Sequence, residues 1–558
     1  MYIQFSIIFL ITLLLTVLFK KFNQPLVVAY IISGILLGNF FIKSIEFKNL
    51  LIFLADIGVT FMLFIVGLEL KLKTLREIGK LSIIIGTLQE LVTIIAGILF
   101  ALLLGFNFQE AVYLGIALSF SSTVLMVKLI SDKGDLEKFY GKLATGFLLV
   151  QDLITVLILM ILPFFNLNML GYNPMNLILG FILVILIPLI SYKFLPKLEK
   201  FIADNQELLF LFAITSALVL SSLFEKLSLG LEVGALVAGI SLSSLKISTE
   251  IASKLRPVRD FFLVIFFIYL GLEIFIANID DIFFKAILLS LFVLIGNPIL
   301  MWLIVRYLNI SKKSAFLLSL TSNQISEFSF IVIGLGISMG HISGNLLSLL
   351  SLVGIITFLG STIIFNKAEK IYEKINRFIP HKEAAKQLEV LEKGYDIILL
   401  GCDRIGYSFL KLFEKHKEKV LIVDYNLEKV EFLESLGFNV IYGDASEIEF
   451  LGSLNFRNIK LLISTIPDFS TNLLALEVFK KENPQGVFIC TAYKVEDALL
   501  LYDNGADYVI TPHFLGGEHA SHIVEELMYE KEKYTKLKEE EIKRLQERIQ
   551  LGHQHPLS

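Results

Sequence analysis

The sequence predicts a polytopic α-helical membrane protein joined to a soluble α/β domain, and three observations carry that prediction. The 558 residues are 55% hydrophobic with a mean hydropathy of +0.74, too apolar for an ordinary soluble chain. Charge is unevenly placed: of 49 Lys and Arg, 24 lie in residues 1–366 and 25 in the last 192. Only that last stretch alternates short strand-like runs with helical ones. The boundaries read as a membrane domain at 1–366, a charged connecting helix at 367–393, an α/β domain at 394–512 and a charged helical tail at 513–558.

Apolar runs of spanning or near-spanning length fall at 2–19, 25–42, 50–70, 80–104, 110–130, 140–163, 175–195, 206–224, 229–245, 257–278, 283–305, 314–340 and 343–366, thirteen in all. The first lacks the basic start and small-residue cleavage pattern of a signal peptide and is followed directly by other spans, so it reads as a helix. Connecting segments alternate in charge. One set carries twenty Lys and Arg, among them Lys20, Arg76, Lys128, Lys197 and Arg256; the other carries only Lys43, Lys48, Lys226 and Lys285. The positive-inside rule then predicts an N-terminus outside the cell membrane, the inner one, with everything after residue 366 in the cytosol. The two cysteines, Cys402 and Cys490, both fall in the soluble part, which gives no disulfide framework and suits a reducing compartment. The net charge is only −4, and no nucleic acid is expected as a partner.

An internal repeat runs through the membrane part. Gly67-Leu68-Glu69 ends one span at its cytosolic side, and Gly271-Leu272-Glu273 echoes it near an outer end, an offset of 204 residues. The same offset lays Ser119-Phe120-Ser121-Ser122-Thr123 over Asn323-Gln324-Ile325-Ser326-Glu327, two polar clusters each in the middle of a span. Equivalent elements facing opposite sides are the mark of inverted-topology repeats.

Hydroxyls and amides inside a span can satisfy backbone groups where a helix breaks against a cavity, and two broken helices crossing at mid-depth aim carbonyls and helix dipoles at an ion. The alternative for such clusters is interhelical hydrogen bonding. Asp152 is the sharpest residue of the chain, mid-span in Leu149-Val150-Gln151-Asp152-Leu153 with no cation in its own helix. An intramembrane carboxylate is costly and marks a functional site by default. It can hold either a proton or a partly dehydrated cation, and competition between the two suffices for exchange. Merely structural hydrogen bonding by a protonated Asp is the bland alternative. Glu327 is a secondary candidate, while Asp56, Glu69, Glu90, Glu232 and Glu273 are weaker ones.

These residues resemble the Kef-type branch of the monovalent cation/proton antiporters over nearly the whole chain. Gly67-Leu68-Glu69-Leu70, the break at Ser121-Ser122-Thr123, Gln151-Asp152, and Ser326-Glu327-Phe328 in place of the family's Gly-Glu-Phe carry the resemblance together. It implies a homodimer in the lipid bilayer, with a moving core whose Asp binds the ion, and it is a transporter, not an enzyme, that is implied. The Gln-Asp pair is similar to that of potassium-exchanging members, so K+ is favoured over Na+ as the ion exchanged for H+, with no other metal. Where some relatives carry a membrane Lys, this chain has Asn297.

In the soluble part, Asp396 to Leu400 reads as a buried strand, Gly401-Cys402-Asp403-Arg404-Ile405-Gly406 as a turn, and Tyr407 to Phe413 as an amphipathic helix. Val420-Leu421-Ile422-Val423-Asp424 is a second strand, and its acid, 18 residues after Gly406, fits a dinucleotide-binding Rossmann fingerprint. Further strands read at 439–442, 461–464, 487–489 and 508–510. Gly443-Asp444-Ala445 resembles the turn of RCK, or TrkA-N, domains, where the Asp lies near the adenine. The departure is Asp403 where a glycine would let the backbone approach a pyrophosphate. An adenine mononucleotide, AMP or ATP, is therefore expected over NAD or NADH. The alternative is a purely structural domain. His553 and His555 in the tail are not expected to bind metal. A ligand-gated potassium channel would need a Thr-Val-Gly-Tyr-Gly filter, and no such run occurs.

Overall fold

The computed structural model describes residues 2–40, 45–69, 79–136, 138–165, 174–227, 229–274, 279–308, 310–376, 394–402 and 405–550. The chain divides into two compact units, 1–136 with 140–374, and 137–139 with 375–558.

The first unit is helical. Six elements open it: α1 (Tyr2–Lys21), α2 (Leu26–Phe40), α3 (Ile45–Glu69), α4 (Lys80–Leu103), the broken pair α5 (Phe108–Ser119) and α6 (Thr123–Asp132), and α7 (Phe139–Ile161). After α8 (Pro174–Ala203) six more follow: α9 (Gln206–Lys226), α10 (Leu231–Leu242), α11 (Ser248–Leu272), α12 (Ile279–Leu291) continued by α13 (Asn297–Tyr307), the broken pair α14 (Lys312–Ser319) and α15 (Glu327–Ser338), and α16 (Asn345–Asn366). Each apolar run expected from the sequence coincides with a helix or a broken pair. By length and composition ten of these elements can cross a membrane, each broken pair counting once. Helices α2 and α10 are shorter apolar ones, and α11 carries Arg256, Arg259 and Asp260 in its first half.

Each of the first six elements has a counterpart displaced by close to 204 residues, α1 with α9 through α7 with α16. A unit repeated after an odd number of crossings runs in the opposite sense, and the ion pairs agree. Lys48 at the start of α3 meets Glu273 just past the end of α11 at 2.8 Å, while Arg256 near the start of α11 meets Glu69 at the end of α3, also at 2.8 Å. The two helices are thus antiparallel, and both Gly-Leu-Glu acids are engaged in pairing across the repeat.

The glycines of that motif are explained by close helix crossing. A Cβ on Gly271 would lie 2.0 Å from the carbonyl oxygen of Ile31 and 2.9 Å from the Cα of Gly34; one on Gly239 would lie 2.2 Å from the carbonyl oxygen of Phe64 and 2.8 Å from the Cα of Gly67. Small residues of this kind let backbones touch where lipid supplies no hydrophobic drive. Gly271→Val should therefore cost about 1–3 kcal/mol or more by overpacking. Thermal unfolding in detergent should show a large fall for this variant and little change for Gly334→Ala, whose site is open.

Helix α17 (Ala368–Asn376) begins the expected connecting helix, of which residues 377–393 lie outside the described residues. The second unit is a six-stranded, all-parallel sheet: β1 (Ile397–Leu400), β2 (Val420–Asp424), β3 (Asn439–Tyr442), β4 (Leu461–Ser464), β5 (Val487–Thr491) and β6 (Tyr508–Ile510). Its order is β3-β2-β1-β4-β5-β6, with Ile397–Leu400 in register with Val420–Val423 on one side and Leu461–Ser464 on the other. This is the doubly wound Rossmann order, whose strand direction of progress reverses between β1 and β4. The central strands are continuous aliphatic runs because both faces are covered. Helix α18 (Gly406–Phe413) follows β1, and the tail forms α19 (Pro512–Leu527) and α20 (Lys531–Gln550); His553 and His555 lie outside the described residues.

Candidate functional site

Both polar clusters break their helices. Helix α5 ends at Ser119 and α6 starts at Thr123, with Ser122 capping it by accepting from the Leu125 amide at 3.4 Å. In the second repeat α14 passes through a short 3-10 turn, Leu320–Ser322, and restarts at Glu327, where Ser326 accepts from the Phe328 amide at 3.3 Å. The breaks meet: Gln324 donates from Nε2 to the Ser122 carbonyl at 3.2 Å and accepts at Oε1 from the Ser361 hydroxyl at 2.7 Å. Ser329 is hydrogen-bonded to the Ala117 carbonyl at 2.5 Å.

Gln151 and Asp152 lie against the first break. The Thr123 hydroxyl donates to Asp152 Oδ2 at 3.0 Å, so the first residue of α6 holds the carboxylate beside that helix's N-terminal dipole. The Ser121 amide donates to Gln151 Oε1 at 3.1 Å, and Gln151 Nε2 reaches Glu90 Oε2 and the Ser119 carbonyl, both at 2.8 Å, with Gln89 Oε1 at 3.2 Å. Asp152 is partly exposed while Gln151 is buried. Among the described residues, the buried hydroxyl of Ser121 and both side-chain polar atoms of Asn323 have no hydrogen-bond partner. Buried polar groups left so are uncommon and mark places where an ion or water is accommodated.

The sequence candidates Ser121, Ser122, Thr123, Gln151 and Asp152 are thus brought together. Ser326 and Glu327 are not joined to them by a hydrogen bond among the described residues; Ser326 caps its own half-helix and lies 3.4 Å from Glu327 Oε2. Sequence reasoning ranked Glu90 low and did not single out Gln89, Ser119 or Gln324 as partners of this network. The available signal was a Gln-Glu pair inside an apolar span. Asn297 follows a π-helical turn, Phe292–Gly296, and donates to the Leu118 carbonyl at 2.9 Å, so it steadies the end of α5 without adding charge.

In the soluble unit the turn after β1 lies at the switch point. Gly401 has φ +81°, and a Cβ on Gly406 would sit 2.4 Å from the Gly401 carbonyl oxygen, so the strand-to-helix turn requires both glycines. Ile405 immediately precedes α18. Asp424 ends β2, buried, accepting from the Cys402 amide at 2.8 Å and the Asn426 amide at 2.9 Å. Asp444 follows β3 and accepts from the Ser446 amide at 2.9 Å, while Ala445 is buried in the core. Asp403 and Arg404 lie outside the described residues. Thr465, which the sequence reading missed, donates to the Gly401 carbonyl at 2.9 Å from the end of β4; the strand order places it there. Both cysteines are buried, and burial pushes the Cys490 thiol up to about 12. No cluster of three His, Cys, Asp or Glu suited to a metal occurs among the described residues.

A duplicated helical membrane unit whose two broken helices meet beside a carboxylate, followed by a Rossmann unit, defines a multi-pass secondary transporter with a C-terminal soluble domain. The chain belongs to the family described as sodium/hydrogen exchanger, transmembrane, which matches residues 7–366; residues 397–512 match the TrkA-N domain. It is similar to the glutathione-regulated potassium-efflux system protein KefC of Escherichia coli (strain K12), 26% identical over 490 residues, 86% of this chain and 78% of that protein. KefC of Shigella flexneri serotype 5b (strain 8401) matches to the same extent. Among solved structures, the sodium proton antiporter MjNhaP1 from Methanocaldococcus jannaschii aligns at 15% identity over 66% of this chain and 97% of that one, with a TM-score of 0.48. The Kef-type resemblance is borne out, and the protein is a cation/proton antiporter rather than an enzyme.

Proposed function

We propose that the protein exchanges K+ for H+ by alternating access, as a homodimer in the inner membrane with its N-terminus outside, and that nucleotide at the cytosolic Rossmann domain regulates the exchange. The hydrogen bond from Thr123 to Asp152 carries the transport reading, because it holds a partly exposed carboxylate at the start of a half-helix in the middle of the membrane unit. Asp152 alternates between a proton and the cation. Ser121, Ser122 and Thr123 supply hydroxyl and carbonyl oxygens, Gln151 fixes the backbone beside them, and Ser326 and Glu327 line the second break. The Gln-Asp pair favours K+ over Na+.

One titrating site per subunit, with Asn297 in the place of a charged partner, gives one-for-one electroneutral exchange. Proteoliposomes loaded with K+ or Na+ test both statements: K+ should drive proton flux more strongly, and clamping the membrane potential should leave the exchange equilibrium where it was. A preference for Na+, or a reversal point that follows voltage at 2.3 kcal/mol per charge per 100 mV, would overturn the corresponding statement.

In the soluble unit, Asp424 accepts from ribose hydroxyls, since a carboxylate takes up to about four hydrogen bonds. Asp444 and Ala445 border the adenine, and the turn Gly401 to Gly406 with the first amides of α18 takes one phosphate. By sequence Asp403 and Arg404 stand between Gly401 and Gly406, and a carboxylate at that position disfavours a pyrophosphate, so AMP or ATP is preferred to NAD or NADH.

A further inference from the structure

Asn323 stands in the second break, immediately before Gln324, whose amide reaches the Ser122 carbonyl of the first break at 3.2 Å. It is fully buried, and neither polar atom of its carboxamide has a hydrogen-bond partner among the described residues. The other polar side chains of the two breaks are bonded, Ser121 excepted. Oδ1 of Asn297 is likewise without a partner, although its Nδ2 is held by the Leu118 carbonyl at 2.9 Å. The repeat accounts for this condition. At the offset of 204 residues Asn323 corresponds to Ser119, whose hydroxyl donates to Glu90. Glu90 corresponds to Leu294, and Gln151 and Asp152 to Ile355 and Ile356. The first half satisfies its polar residue from its own helices. The second half keeps a larger polar group but has hydrocarbon side chains at the positions of those partners, and a buried amide left so is costly unless something from solution completes it.

We infer that Asn323 is the ligand the second half contributes to the exchange site, its Oδ1 entering the oxygen shell of a partly hydrated monovalent cation and its Nδ2 donating to a water the ion retains. Neutral oxygens can stand in for the hydration shell of such an ion, and a carboxamide supplies both an acceptor and a donor. The placement follows from adjacent residues of the first break: Thr123 holds the Asp152 carboxylate, and Ser122 is held by the chain neighbour of Asn323. Asp152 supplies the charge, and Ser121 Oγ and Asn297 Oδ1 are further oxygens left for the shell. Binding then depends on both halves at once. The inference rests on the antiport reading of the same site.

The test compares Asn323→Ala with Asn323→Ser in the full chain, two substitutions of similar size that differ by one oxygen. In detergent, saturating K+ should raise the unfolding temperature of the wild type above its value in N-methylglucamine. Asn323→Ala should unfold no lower than the wild type in N-methylglucamine, because the unsatisfied groups are gone, and should lose most of the rise on adding K+. Asn323→Ser should keep part of that rise. In proteoliposomes the cation KM should increase about tenfold in Asn323→Ala, the scale of one hydrogen-bonded contact to a charged group, and less in Asn323→Ser. An Asn323→Ala protein that unfolds lower without K+ yet keeps the full rise would make Asn323 a packing residue and overturn the inference. Equal KM values for the two variants would do the same. Wild-type exchange with an unchanged KM in Asn323→Ala would sink the inference alone, whereas a wild type that exchanges neither K+ nor Na+ would sink the antiport reading and the inference with it.

Discussion

Asp152→Asn is expected to reduce cation-driven proton flux to the level of empty vesicles while leaving the protein assembled. The substitution keeps the size of the side chain and its ability to accept from Thr123, which holds Asp152 Oδ2 at 3.0 Å, but removes the group that takes up and releases a proton. It also removes the negative charge that compensates a cation drawn from water into a low-dielectric site. Both legs of the exchange fail together. Dye-reported flux in proteoliposomes, with elution volume and thermal unfolding in detergent as controls for folding, makes the measurement. Normal flux in the variant would place the exchanged ion on another acid, and Glu327 would be the next to replace.

The second large effect is expected in the soluble unit. A ligand at about one hundred times its Kd stabilises the folded state by about 2.7 kcal/mol, enough to read as a clear rise in the unfolding temperature. AMP and ATP should raise that temperature for a fragment spanning 394–512 more than NAD or NADH at matched concentration. Asp424→Ala should abolish the rise, since Asp424 ends the second strand at the mouth of the switch point. It will also lower the unliganded baseline, because the Cys402 and Asn426 amides lose their acceptor. The comparison is therefore made as the shift on adding nucleotide, not as absolute temperature. Larger shifts with NAD or NADH would reverse the preference, and none with any nucleotide would leave the domain a structural role.

Much of this architecture was legible because it rests on patterns local in sequence. Apolar runs gave the helices, and period and glycine placement gave the strands within one or two residues. The offset between the two Gly-Leu-Glu units anticipated the antiparallel pairing of α3 and α11. The polar clusters around Ser122 and Ser326 pointed to the breaks because hydroxyls inside an apolar span can satisfy the backbone groups that a broken helix frees. What could not be read was partnership across distance. Gln151 looked like the neighbour of a functional acid, yet its amide bonds to Glu90, 61 residues away, and to the Ser121 backbone. Gln324 ties the two breaks together across 202 residues. Thr465 has no motif at all; only the strand order, which sets β4 beside β1, brings it to the Gly401 carbonyl.

The two glycine crossings bear on how such a chain could arise. Gly34 touches Gly271 and Gly239 touches Gly67, and each contact takes one glycine from either half. Under the repeat, Gly34 corresponds to Gly239 and Gly67 to Gly271, so the two crossings are one contact made twice. A single gene of half the length, its product inserted both ways round, would build both from the same pair of glycines. Once fused, the halves are no longer free to drift apart at these four positions: enlarging any one is felt by the opposite copy, and heredity in one half is constrained by the other.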